Sequence, residues 1–458
     1  MRIKPIASLL GGLLTATFAL SQSGGQNYTI SPYSNFGLGE LINQNFIQAG
    51  ANSQTHNGAY SYSLFNPATL ANIRYATLDF GLNGRIGNVY SGDQTRNFNG
   101  GSFSYMSLAF NNWKKDKVRS IASTSQTKKR KTTPFAWNSG LSLYPGTSVG
   151  YNYLFESYNP FRTRTIHSGS GGVNVLELAQ AMKLGKHISF GFSSGYMFGQ
   201  IRDISVLGFP DSVDYQYIED DKSVVIRGFQ HRAGAMFSFG GDSARHTLGF
   251  SYGFHSVVKA GQTRLVRTLE SRIIQNNLQN LYTVDTVLNI ESGMQKITMP
   301  ASFGLGYQFR YRRLFSVGVD YRKQLWGNYA AYFNPGAKLS DRTDYGFTIT
   351  LNPHDEKPLR QKRMKMPIRF GGVMSETQNA FNGTGGKLVI QEQRAFIGFG
   401  IPISRRYFDN RVLRSIVHFQ ADYINRGENS NGLAREQYLV FSLSMNLGDI
   451  WFQRRKFD

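Results

Sequence analysis

The chain of 458 residues contains no cysteine. Disulfide bonds are therefore excluded, and so is a lipoprotein, because lipid attachment needs a cysteine at the cleavage site. After the N-terminal leader, the sequence also lacks any stretch of 18 uninterrupted apolar residues, so no transmembrane helix is expected. Acidic residues are few beside basic ones, 29 against 51, and the resulting net charge of +22 needs a location in the fold.

The common signatures of enzymes are absent as well. The eight histidines are scattered and form no His-x-x-x-His or Glu-x-x-His pair, so a metal site has no support. No Gly-x-Ser-x-Gly elbow occurs, and the glycine-rich stretch at 169–172 lacks the Lys-Ser/Thr of a phosphate loop. His231 or His418 could pair with a serine or aspartate near a barrel wall, but each is better explained as a polar residue facing a lumen. We therefore predict no enzyme activity, no cofactor and no metal.

The first residues have the organisation of a secretory signal peptide. A cationic start at 1–4 precedes a mostly apolar run at 6–20, and Ala19-Leu20-Ser21 supplies small residues for cleavage. The apolar run is too short and too rich in glycine to span a membrane. We predict a signal peptide over residues 1–21.

The most regular pattern lies near the end of the chain, between Tyr438 and Leu447. Apolar residues occupy every second position there, and small or polar residues fill the positions between them. A period of two lets one face of a strand contact lipid while the other faces polar neighbours. Because only a closed barrel satisfies strand backbones in lipid, the pattern predicts an all-β protein, a transmembrane antiparallel β-barrel.

The same alternation recurs along the chain and predicts about 14 strands between residues 74 and 449. The weakest segments are 342–351 and 365–376, and a barrel without them would have about 12 strands. A lumen of this width cannot be sealed by the inward side chains of the wall. Residues 22–73 precede the first strand and carry many apolar side chains, so we predict that they form an N-terminal hatch, or plug, in the lumen; the alternative is a disordered arm.

Positive charge is predicted to collect at one end of the barrel. If the first strand starts in the periplasm, the basic connections face inward, together with a basic periplasmic tail at 450–458, whereas the outward connection at 204–222 is acidic. This predicts a basic collar for anionic lipid head groups, or for periplasmic or outer-membrane partner subunits. The leader argues against nucleic acid, the other common partner of such runs. The collar comprises Lys114, Lys115, Lys117, Lys128, Lys129, Arg130, Lys131, Arg454, Arg455 and Lys456.

One short motif resembles a known family. Asn66-Pro67-Ala68-Thr69-Leu70 resembles the Asn-Pro-Ala element that ends the N-terminal hatch of the FadL outer-membrane transporter family. Residues 31–40, 141–151 and 451–458 resemble a branch of that family found in Bacteroidota. The resemblance implies a plugged 14-stranded barrel, places Asn66, Pro67, Ala68 and Leu70 in the hatch, and gives Pro67 the role of fixing the backbone against the wall.

Two functions follow as hypotheses. The resemblance implies a transporter that passes a hydrophobic small molecule through the outer membrane of a Gram-negative bacterium. Related barrels of the Bacteroidota branch serve as subunits of secretion and assembly machines, so the alternative is a non-transporting subunit that binds periplasmic partners through the basic collar. In both cases the chain termini would be periplasmic. Trp137, Trp326 and Tyr329 are predicted to join the aromatic girdles at the membrane interfaces.

Overall fold

A computed structural model describes most of the chain. The described residues are 31–35, 37–41, 50–114, 135–158, 161–211, 216–241, 243–271, 281–329, 339–352, 366–383, 386–406, 412–430 and 433–449. The predicted signal peptide and basic tail lie outside these ranges. Among the described residues, no helix is long and apolar enough to cross a membrane.

Eighteen strands form one continuous antiparallel sheet. The sheet closes because the last strand pairs with the first long one, from Ala434 opposite Ser91 to Asp449 opposite Ala76. The strands are β1 (Glu40–Leu41), β2 (Ala76–Ser91), β3 (Gln94–Lys114), β4 (Phe135–Ser157), β5 (Thr163–Leu184), β6 (Ile188–Gly208), β7 (Tyr217–Gly240), β8 (Ala244–Gly253), β9 (Ser256–Ser271), β10 (Leu281–Glu291), β11 (Gln295–Met299), β12 (Ser302–Tyr311), β13 (Phe315–Gln324), β14 (Arg342–Leu351), β15 (Ile368–Gly383), β16 (Gly386–Arg406), β17 (Val412–Gly427) and β18 (Ala434–Asp449).

These segments make a barrel of fourteen strands, which confirms the predicted fold class. β8 and β9 are two halves of one barrel strand, since both pair with β7. β10, β11 and β12 are three parts of the next, interrupted at 292–294 and at Pro300. Proline has no backbone N–H to give to a ladder, which explains the second break. The two-residue β1 belongs to the N-terminal segment and is not a strand of the barrel. The two weakest predicted strands, 342–351 and 365–376, correspond to β14 and β15.

The alternation in β18 sorts its side chains as predicted. Leu439, Phe441 and Leu443 are 43%, 51% and 39% exposed, whereas Val440 and Ser442 between them are buried. The exposed set lies on the outside of the barrel, where a bilayer replaces water as the surrounding medium. The strand therefore presents an apolar outer face and a mostly polar lumen face.

Ala76, where β2 begins, and Asp449, where β18 ends, lie at the same end of the barrel. We call the end that holds Ala76 and Asp449 the near end, and the opposite end the far end. Short turns close three near-end hairpins, including 185–187, where Gly185 adopts φ +63°. A residue without a Cβ adopts that conformation at little cost.

The described N-terminal residues, 31–41 without 36 and 50–75, lie inside the barrel, and we refer to them as the hatch. Short 3-10 turns form at Pro32–Asn35 and Pro67–Asn72. Tyr62, Leu64 and Leu70 are almost fully buried and share one apolar cluster with wall residues such as Tyr144 and Val173. The hatch therefore contributes to the hydrophobic core.

Two expectations about local structure are wrong. Residues 204–208 and 217–222, predicted to belong to an acidic connection, lie in strands β6 and β7. Their acidic residues form ion pairs with arginines on adjacent strands, as Asp221 does with Arg202 at 2.6 Å. The charges that suggested a loop therefore form cross-strand ion pairs. Trp326 is 4% exposed and packs in the apolar cluster inside the barrel, not in a girdle.

Candidate functional site

The Asn-Pro-Ala element lies against the barrel wall. Asn66 caps the 3-10 turn, since its Oδ1 accepts a hydrogen bond from the Ala68 N–H at 3.1 Å. Its Nδ2 donates to the Gln54 carbonyl at 2.7 Å, within the hatch, and to the Ala235 carbonyl of β7 at 3.4 Å. Pro67 occupies the first position of the turn, where no N–H is needed. One side chain thus joins two parts of the hatch to the wall.

Glycines in the wall allow the hatch to come this close. A Cβ on Gly191 would overlap the backbone of Pro67, and one on Gly234 would overlap the Asn66 side chain. A Cβ on Gly249 would overlap the Gln54 carbonyl. These three glycines lie on neighbouring strands β6, β7 and β8. We call them the glycine belt, and their missing side chains define the seat of the hatch.

A buried carboxylate on β13 holds the next turn of the hatch. Asp320 accepts hydrogen bonds from the Ser53 hydroxyl at 2.7 Å, from the Gln54 N–H at 2.8 Å and from the Ser53 N–H. A carboxylate that accepts backbone N–H groups makes charge-assisted hydrogen bonds, which are stronger than neutral ones. Asp320 therefore fixes residues 53–54 in the middle of the lumen.

Toward the far end, an arginine-centred network ties β1 to the wall. The Arg426 guanidinium lies 2.8 Å from Glu40 of the hatch, 2.5 Å from Glu392 and 3.3 Å from Glu436. Arg85 of β2 reaches the second oxygen of Glu40 at 3.3 Å. All five side chains are at most 15% exposed. Such a network is stable only while its partners stay together, because a buried charge without a partner is costly.

The protonation of Glu40 reflects this environment. Burial by itself would raise its pKa, but the guanidinium groups of Arg426 and Arg85 outweigh burial and lower the pKa from 4.5 to about 2. Glu40 is thus ionised at any physiological pH. The hatch carries a fixed negative charge at the point where the wall offers two arginines.

A second group of ion pairs crosses the lumen, closer to the near end than the Arg426 network. Asp344 of β14 accepts from Arg342 at 3.0 Å and lies 3.2 Å from Arg322, and Arg394 lies 2.6 Å from Asp422. The Arg322 guanidinium stacks 4.0 Å above the ring of Phe65 in the hatch. The cavity between these groups is about 120 Å³ and is lined mainly by charged and polar side chains.

The wall has a seam between β3 and β4. The two strands pair only from Met106 opposite Leu143 to Lys114 opposite Ala136, toward the near end. Farther toward the far end, the same edge of β4 pairs instead with β1, where Glu40 lies opposite Ser148. Gly150 of β4 also exchanges hydrogen bonds with the hatch, accepting from the Ser31 N–H at 2.8 Å. Along this part of β4, the hatch therefore provides the hydrogen-bonding partners that β3 provides closer to the near end.

The predicted hatch residues come together in the structure, whereas the predicted collar is not described. Ala68 and Leu70 are fully buried beside Asn66 and Pro67 in the 3-10 turn. Of the collar, only the backbone of Lys114 is described, as the last residue of β3; the other nine residues lie outside the described ranges.

Sequence reasoning missed the arginine-centred network. Glu392, Arg426 and Glu436 occupy lumen-facing positions on three adjacent strands, paired across the ladders as Glu392 with Arg426 and Arg426 with Glu436. The only hint of this network in the sequence was that all three charged residues lie on the polar faces of predicted strands. Their contact depends on strand register, which alternation alone does not set.

Three solved structures share this fold. The P. putida toluene transporter TodX is 13% identical, with a TM-score of 0.55, covering 89% of this chain and all of that one. The monoaromatic hydrocarbon channel CymD is 14% identical, with a TM-score of 0.51, covering 91% and 99%. A Pseudomonas aeruginosa FadL homologue is 12% identical, with a TM-score of 0.51, covering 89% and 99%. Identities this low show a shared fold, the closed barrel of fourteen strands.

No curated protein sequence matches the chain. The sequence profile of one family, BamG, does match it, over residues 7–118 and 132–458. The match spans the hatch, the seam and every barrel strand described above. This protein belongs to the BamG family.

Proposed function

We propose that this chain is a structural subunit of an outer-membrane assembly or secretion complex, and that it transports nothing through its lumen. One observation carries the proposal: the described residues of the hatch are attached to the wall at three places in the lumen. The glycine belt, Asp320 and Arg426 each hold a different part of it. Opening the lumen would separate all three attachments at once.

The charge of the lumen supports the same conclusion. A hydrophobic molecule gains binding energy by burying apolar surface. Two cavities between described residues of the lumen are about 120 and 80 Å³, and both are lined largely by polar and charged side chains. Entry of an apolar molecule would desolvate these groups without giving them partners.

Partner subunits would bind at the near end, through the basic collar. β3 ends at Lys114, β4 begins at Phe135 and β18 ends at Asp449, all at that end. With the near end in the periplasm, the basic collar would be presented to acidic surfaces of periplasmic subunits or to anionic lipid.

The test of this proposal is gentle detergent extraction of the native membrane, affinity capture and mass spectrometry. We expect co-purifying subunits with the wild-type chain and a loss of at least one of them when Lys128, Lys129, Arg130 and Lys131 are changed to glutamine. A matched control changes four basic residues of another near-end connection, Lys357, Arg360, Lys362 and Arg363. A barrel that runs alone in the wild type would refute the proposal.

A second function, passage of a hydrophobic small molecule, is favoured by the β3–β4 seam. On the edge of β4 that faces β3, the described backbone partners of its far-end part are hatch residues, so withdrawal of residues 31–41 would leave a lateral gap in the wall. The structures with the same fold include a toluene transporter and a monoaromatic hydrocarbon channel.

A disulfide separates the two functions. Leu41 and Thr147 are cross-strand neighbours, and the chain has no other cysteine. A Leu41→Cys, Thr147→Cys pair would therefore lock the seam in oxidising conditions. We expect the locked protein to retain its partners and to support growth as the wild type does. If locking abolishes uptake of an aromatic hydrocarbon, and reduction restores it, the transporter is correct. Each single cysteine variant is the control.

A further inference from the structure

A second polar cavity lies between the hatch and the near end of the wall. Its volume is about 80 Å³, and its lining comes from hatch residues 52 and 56–61 and from the near-end parts of β12 to β15, β17 and β18. Arg369, Arg310, His56 and His418 contribute to this lining. No described carboxylate does.

Arg369 is the unusual member of this group. It is 2% exposed, and its Nη2 lies 3.2 Å from Nδ1 of His418, an uncharged acceptor when that nitrogen is unprotonated. Its Nε is buried without a hydrogen-bond partner. Among the described residues, no carboxylate lies within ion-pair distance of it. A buried cation in this state lacks the counter-charge that normally offsets its lost hydration.

The other central arginines of the lumen show that this is an exception. Arg426, Arg394 and Arg322 each have a carboxylate within 3.2 Å. The fold therefore places acids beside these guanidinium groups in the far-end half of the lumen, whereas the described residues place none beside Arg369. A negatively charged ligand would offset the charge of Arg369.

We propose that this near-end cavity is a binding site for a doubly charged oxyanion of the phosphate class. Two guanidinium groups, Arg369 and Arg310, border the cavity, and the planar fork of arginine suits phosphate oxygens. A cavity of about 80 Å³ has room for several water-sized groups and so for a small tetrahedral oxyanion. The unpaired acceptor Oδ1 of Asn57 can receive the O–H of a hydrogen phosphate.

The state of His56 is consistent with an anion site. Burial, followed by the charges of Arg369 and Arg310, lowers its pKa from 6.5 to about 4. Burial is the main cause, and the two guanidinium charges add to it. An anion between these groups would offset those two charges. Its source would be free phosphate or the head group of a phospholipid that reaches the near end of the barrel.

The first test is isothermal titration calorimetry of the purified full-length barrel in detergent, with inorganic phosphate as the probe and acetate as the singly charged control. We expect phosphate to bind and acetate to bind at least tenfold more weakly. Arg369→Gln should weaken phosphate binding at least tenfold, and Arg369→Lys should restore part of it. Arg264→Gln, at an exposed far-end arginine, is the matched control and should bind as the wild type does. Equal phosphate affinity in wild type and Arg369→Gln overturns the proposal.

A measurement on the wild type keeps the proposal testable if the Arg369 variants misfold. Crystals grown with millimolar arsenate should show an anomalous peak beside Arg369, and the absence of that peak overturns the site. Organic extraction of protein purified from membranes, followed by phosphorus analysis, separates the sources. Phosphorus in the organic phase at one equivalent identifies a lipid head group, whereas phosphorus left in the aqueous phase identifies free phosphate.

Discussion

The attachment of β1 to the wall is the most quantitative consequence of the structure. The change is Glu40→Gln, which keeps the shape of the side chain and removes its charge. In the wild type the carboxylate is held by Arg426 at 2.8 Å and by Arg85 at 3.3 Å. Its pKa falls from 4.5 to about 2, and at 1.36 kcal/mol per unit this corresponds to about 3 kcal/mol in favour of the docked hatch. Breaking a buried ion pair by removing one partner costs about 3–5 kcal/mol, so the two approaches agree.

The assay is hydrogen exchange of the hatch amides in detergent at pH 7. A loss of about 3 kcal/mol should speed exchange of residues 31–41 by roughly 100-fold, with the barrel strands unchanged. Because the folded pKa of Glu40 is depressed, the stabilisation is complete above pH 4.5 and is lost as pH falls toward 2. Wild type should therefore lose hatch protection in that window, and Glu40→Gln should show no such step. Glu156→Gln, whose arginine partners lie at the far-end rim, is the control. Unchanged exchange in Glu40→Gln at pH 7 would refute this account of hatch docking.

Three further predictions concern other contacts of the hatch. His56 has a lowered pKa of about 4, so the unfolded state takes up the proton first and wild type should lose stability as pH falls from about 6.5 to 4; thermal melts of His56→Gln should be flatter over that range. Gly191→Val should displace the 3-10 turn and lower the melting temperature by several degrees, whereas Gly84→Val, in open space on β2, should leave the melt unchanged. Asp320→Asn removes the charge that binds residues 53–54 and should increase proteolysis of the hatch, with intact barrel fragments on gels; an equally resistant hatch would contradict its anchoring role.

The barrel itself was predictable because its cause is local. A strand in a membrane wall must alternate, and Leu439 to Leu447 show that alternation without knowledge of any neighbour. The strand prediction failed at the far-end parts of β6 and β7, where charged residues take the place of apolar ones. Asp220 and Asp221 resemble loop residues until Arg264 and Arg202 on the adjacent strands are known. Cross-strand pairing is a property of two segments, so neither segment alone reveals it.

The closed, alternating wall and the presence of a hatch segment were thus set by the sequence pattern, since a membrane imposes one constraint on every strand. The tertiary structure alone decided which lumen charges meet. Glu40 and Arg426 are separated by 386 positions and touch only because the barrel closes and the register of each ladder is fixed. The same register brings no described acid to Arg369, although its position in the sequence does not distinguish it from the other arginines. Charge pairing in a lumen depends on distances across the barrel, and those exist only once the cylinder has formed.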